Sequence, residues 1–192
     1  MDKATLDLQC STLPEKFMKI LAISGSGRAN STNSAMLRTV AEIAQSKYEI
    51  TVFTGIAGLP VFSPDLEQGP LPPEVQSFVN LISQSDGLII ASPEYVRAIP
   101  GGMKNAIDWL VSRDEIVNMP IALMHASHRG DDMLEQLRLV LSTISQQFAQ
   151  DLFLRFEFMK LSPDEIFQQM IILPNRDLLM DFLNEFTNRC GR

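Results

Sequence analysis

The chain has 192 residues, 45% hydrophobic and 20% charged, the balance of a soluble globular protein long enough to bury a real core. Lys and Arg number 16 against 23 Asp and Glu, so the net charge is −7. That argues against nucleic acid as the main partner, because a phosphate backbone demands clustered cations. Two His and two Cys are too few for a structural zinc site, and no metal is expected. Cys10 and Cys190, near opposite ends, read as reduced thiols of a cytoplasmic protein.

In chain order, residues 1–16 are broken by charges and have no long apolar stretch. They read as a flexible lead-in, neither signal peptide nor membrane anchor, and residues 17–192 as a single domain. Residues 18–23 form an apolar run suited to a buried strand, which breaks at Gly25 into a polar loop over 25–33. Met36, Leu37, Val40, Ile43 and Ala44 then mark a helix. The loop combines a glycine turn, hydroxyls, Arg28 and a helix start, where free N–H groups favour an anion. A dinucleotide fingerprint fails because Asn30 stands at the third glycine position, and a Walker loop lacks its Gly-Lys-Ser/Thr. A terminal phosphate held by Ser26, Arg28, Ser31 and main-chain N–H groups is one reading. A polar turn ending in an ordinary N-cap is the other.

A second strand over 50–53 precedes the breaker Pro70-Leu-Pro-Pro73 and a helix carrying Val75, Phe78, Val79 and Ile82. The third strand, 87–91, runs into a loop over 92–102 with Pro93 and Tyr95, and Pro100 starts a helix with Met103, Ala106, Ile107 and Leu110. The fourth strand, 121–124, leads to a polar loop over 126–131. There His125 and His128 are rim groups or a general acid, and Asp131 and Asp132 read as a helix start. Met133, Leu137, Val140, Ile144 and Phe148 make one helical stripe. Residues 152–158 alternate as an edge strand, and 177–188 close the chain as a helix.

Strands alternating with helices imply right-handed crossovers and a parallel sheet covered on both faces. The expected fold is α/β, a flavodoxin-like three-layer sandwich with five parallel strands in the order 2-1-3-4-5. Ligands in such a sheet bind beyond the carboxyl ends of the strands, where the loops 25–33, 92–102 and 126–131 would meet.

Two motifs carry a resemblance. Gly25-Ser-x-Arg28-x-x-Ser31-x-Asn33, with Ser92-Pro-Glu-Tyr95…Ile99-Pro-Gly…Lys104-Asn-Ala-Ile-Asp-Trp109, resembles the NADPH-dependent FMN reductase family of flavodoxin-like proteins. The resemblance implies that Ser26, Arg28, Ser31 and Asn33, with the main chain at Gly27 and Thr32, hold the FMN phosphate. It implies that Pro93, Glu94 and Tyr95, with the peptide groups at Val96 and Arg97, border the isoalloxazine ring, and that Ser127 is a further contact. Relatives usually carry Asn and Ser where this chain has Val96 and Ala98, so two polar side chains are lost. Arg97 is a candidate to compensate at the rim. The activity implied is transfer of hydride from NAD(P)H to FMN and on to a flavin, quinone, azo or metal-oxyanion acceptor, with the flavin carrying the chemistry and no catalytic side chain. A homodimer or homotetramer acting on a small-molecule acceptor, with no nucleic acid or membrane partner, goes with it. The alternative is a flavodoxin-type carrier that docks to protein partners without its own NAD(P)H turnover.

Overall fold

The computed structural model describes residues 17–191, so the lead-in and Cys10 lie outside the described residues. Five strands, β1 (Met18–Ser24), β2 (Tyr48–Phe53), β3 (Gly87–Ala91), β4 (Ile121–His125) and β5 (Phe148–Arg155), form one parallel sheet in the order β2-β1-β3-β4-β5. The expected α/β architecture and strand order are therefore present. Successive side chains of a strand face opposite sides, and β1 shows the consequence. Ile20 and Ala22 join a core with α1 (Thr32–Ala44), α6 (Pro163–Ile171) and α7 (Asn175–Cys190). Leu21 and Ile23 join a second core with α2 (Pro73–Ser83), α3 (Gly101–Asp108) and α5 (Asp131–Ile144). A four-residue helix, α4 (Asp114–Val117), adds Ile116 to the second core.

Helix ends follow local chemistry. Ser31 caps α1 by accepting from the Ser34 N–H, and Pro73 opens α2 where a missing N–H costs nothing. Three expectations need correction. Phe148 does not extend the α5 stripe: the helix stops at Ile144, Ser145 turns extended and gives its hydroxyl proton to the Met119 carbonyl, and Phe148 opens β5. The last strand is thus Phe148–Arg155 rather than 152–158, with an irregular register opposite Ile121 and Leu123, while Phe156 and Phe158 stay buried beyond its end. The segment after it holds two helices rather than one. α7 packs closely over the start of β3, where a Cβ at Gly87 would lie 2.6 Å from Cys190 Sγ. Burial and nearby Asp86 push that thiol up to about 12.

Candidate active site

Three loops leave the carboxyl ends of β1, β3 and β4 and enclose a cleft of about 320 Å³. The first can approach the second because Gly25 has no side chain: a Cβ there would fall 2.4 Å from Ser92 Oγ. Gly25 N–H donates to the Ala91 carbonyl at 2.8 Å, which binds the two loop roots together. The Arg28 N–H donates to Ser26 Oγ at 3.2 Å, which tightens the turn, and Ser24 and Ser34 hydroxyls pair at 2.7 Å beneath it. The turn delivers the N-terminus of α1 to the cleft, and the first turn of α1 contains no acidic residue. Its partial positive charge is left for an incoming anion. Arg28 lines the cleft and makes no salt bridge among the described residues.

The second loop turns through Tyr95, Val96, Arg97 and Ala98, with Tyr95 and Ala98 exchanging main-chain hydrogen bonds at 3.1 and 3.0 Å. Val96 (φ 51°) and Arg97 (φ 58°) are both left-handed, as a two-residue type I′ turn requires. Contacts to α5 hold this turn: Glu94 accepts from the Met133 N–H at 3.2 Å, Arg97 pairs with Asp132 at 2.5 Å, and Gln136 donates to the Arg97 carbonyl at 2.8 Å. Through this bond Asp132 raises the pKa of Arg97, and Arg97 lowers that of Asp132. Its guanidinium therefore faces α5 rather than the cleft, which corrects the expectation that it compensates at the rim.

The third loop is bound to its neighbours through Asn33 and His125. Asn33 Oδ1 accepts from the Ala126 N–H at 3.2 Å, so this side chain joins the first loop to the third. His125 is 1% exposed, with Nδ1 3.1 Å from the Ser92 carbonyl and Nε2 2.5 Å from the Arg129 carbonyl. Burial lowers its pKa, which Arg155 reinforces, while the two carbonyls and Asp131 oppose the shift. It braces the loops from below and is not a free acid at the rim. Asp131 and Asp132 occupy the first turn of α5, paired with Arg155 and Arg97 respectively, and Gly130 takes the N-cap position. Among the described residues no His, Cys, Asp and Glu cluster has the makings of a metal site.

Of the expected contacts, Ser26, Arg28, Ser31, Thr32, Asn33, Pro93, Glu94, Tyr95 and Ser127 all line the cleft. Gly27, Val96 and Arg97 do not. Arg129, Gly130 and Met159 line it as well, residues that sequence reasoning missed. Met159 comes from the segment after β5, with its sulfur 3.8 Å from Ser127 Oγ. A larger groove of about 730 Å³ lies at the amino ends of the strands, but its one cation, Lys47, is already bonded to Asn184.

A profile of the NADPH-dependent FMN reductase family matches residues 18–154, which spans the sheet and all three loops. The chain belongs to this family. A quinone reductase of Escherichia coli (strain K12) is 37% identical over 94 residues, 48% of this chain and 50% of that protein. An NAD(P)H-dependent FMN reductase of Pseudomonas aeruginosa is 36% identical over 112 residues, 57% of this chain and 60% of that one. The chain spans about half the length of the curated relatives it matches first. The flavoenzyme NAD(P)H:(acceptor) oxidoreductase FerB of Paracoccus denitrificans shares the fold, with a TM-score of 0.69 at 20% identity over 91% of this chain and 97% of that one. Within this fold the Lys104-Asn-Ala-Ile-Asp-Trp109 motif serves as scaffold. Asn105 accepts from the Phe62 N–H and donates to the Pro60 carbonyl, and the indole of fully buried Trp109 donates to that same carbonyl at 2.8 Å. The loop they hold backs the first loop, with Ala57 3.3 Å from where a Gly27 Cβ would stand.

Proposed function

We propose that the protein is an NAD(P)H-dependent oxidoreductase that holds FMN in this cleft and reduces a quinone-type acceptor. The observation that carries the reading is the donor set in the cleft: an acid-free helix start, buried Ser26 and Ser31, and an Arg28 with no ion-pair partner among the described residues. These groups fit a dianionic phosphate. Pro93, Tyr95, Ala126 and Met159 add a less polar lining that suits a planar ring.

When bound, FMN supplies a hydride acceptor and donor, and so the protein needs no nucleophile of its own. The chain's residues bind and orient. Ser26, Ser31, Arg28 and the main chain at Thr32 would hold the phosphate. Pro93, Glu94 and Tyr95 would border the ring, with Ser127 lining the cleft from the third loop. The Glu94 carboxylate is spent on the α5 N-terminus, which keeps a competing anion out of the cleft. Tyr95, 44% exposed, leaves an aromatic edge at the mouth for an incoming nicotinamide or quinone.

The names of the relatives support this reading, through both the quinone acceptor and NAD(P)H. We extend it to a cytoplasmic homodimer or homotetramer. Exposed Val61, Leu66 and Val111 support association, gathered where the Pro60–Trp109 and Glu67–Arg113 bonds join the second-strand loop to the end of α3. FMN-loaded protein should oxidise NADPH several times faster when a soluble benzoquinone is added. NADPH oxidation that needs an added reductase protein would instead favour the electron carrier.

A further inference from the structure

His125 poses a donor problem. A neutral imidazole has one N–H, yet both ring nitrogens lie against carbonyl oxygens, at Ser92 and at Arg129. Only the imidazolium can donate to both. The two carbonyls belong to different walls of the cleft: Ser92 starts the second loop and Arg129 lies in the third. The fold reserves the place for this ring, because Gly130 is left-handed (φ 106°) and a Cβ there would lie 2.7 Å from His125 Nε2.

We propose that His125 is a positioning residue that takes up a proton when FMN enters, so that its ring ties the second and third loops together around the flavin. The inference rests on the FMN reading above. The charged groups around the ring set the balance. Arg155 on β5 disfavours the cation but is paired with Asp131, which favours it from α5. Glu94, on the second loop, has its Cβ beside the same glycine but its carboxylate committed to Met133. His128 and Arg129 on the third loop are exposed. Burial disfavours the charged ring in the flavin-free protein, and whenever the ring is neutral one of the two carbonyls goes without a donor. An anionic ligand that fills the cleft adds negative charge and fixes the two walls, and both effects favour the doubly donating cation.

Because the bound state holds more protons, affinity is greatest below the ring's flavin-free pKa. The advantage is lost as pH rises through its raised, flavin-bound value. The test is calorimetric titration of FMN into flavin-free protein, in buffers of different ionisation enthalpy, for wild type and His125→Gln. Glutamine keeps a neutral donor but cannot take a proton. Wild type should take up about half a proton more than the variant near neutral pH, and its affinity relative to the variant should fall about tenfold from pH 5.5 to pH 8. The phosphate titration of FMN enters both and cancels. Nitrogen-15 spectra of the wild-type imidazole give a second readout that needs no variant, and FMN should shift them toward the imidazolium. Equal proton uptake with a pH-independent affinity ratio, or ring shifts unmoved by FMN, overturns this inference while leaving the FMN reading intact. No FMN binding by the wild type overturns both.

Discussion

Val96 is the residue whose cost is easiest to read. A β-branched side chain in the left-handed region is strained, and Val96 gains nothing in return from burial, being 97% exposed. The turn persists because Glu94, Arg97 and Gln136 anchor it to α5. The loss of polar side chains at 96 and 98 is therefore less consequential than the backbone shape that an asparagine would adopt more easily. Val96→Asn should stabilise the protein by about 1 kcal/mol and raise Tm by roughly 2–4 °C in a thermal melt. An unchanged or lower Tm would show that the turn is not strained. The same scale separates two arginines that look alike in sequence. Arg97 is occupied by Asp132, whereas Arg28 lines the cleft without an ion-pair partner among the described residues.

At the scale of elements, α3 connects the sheet to the loop that backs the first loop of the cleft. Asn105 satisfies both the Phe62 N–H and the Pro60 carbonyl, so its removal leaves a part-buried donor without a partner. Asn105→Ala should cost about 2 kcal/mol and lower Tm by roughly 4–8 °C. Limited proteolysis should then cut first within residues 55–62. A melt indistinguishable from wild type would deny the motif its scaffold role. The legibility of each element in sequence follows from the range of its contacts. β1, β3 and β4 are buried on both faces and read as continuous apolar runs, and the first loop announced itself by its glycine, hydroxyls and arginine. α6 passed unseen although Ser162-Pro-Asp-Glu165 is a capping box with proline at the first helical position. Phe148 fell into the wrong element because it follows Ile144 by four residues and no Gly or Pro marks the break at Ser145. The roles of His125 and Met159 were not legible, because each depends on a partner 32 or 33 residues away along the chain, beyond any local pattern.

At the scale of the whole molecule, a rigid three-layer scaffold brings three loops to one end of the sheet and leaves chemistry to what they hold. The chain carries a net charge of −7, yet the cleft presents Arg28, Arg129 and a helix start, with its one carboxylate turned onto α5. An overall acidic protein with a local positive site selects a small anion over a polyanion. Recognition of that small anion is the claim on which the proposed activity rests, and comparative titration with FMN and riboflavin tests it most directly, since the two differ only by the phosphate. FMN should bind at one molecule per chain. Riboflavin should bind roughly tenfold to a hundredfold more weakly, and Arg28→Ala should close most of that gap by weakening FMN alone. Equal affinity for the two flavins in the wild-type protein, or no binding of either, would contradict the account.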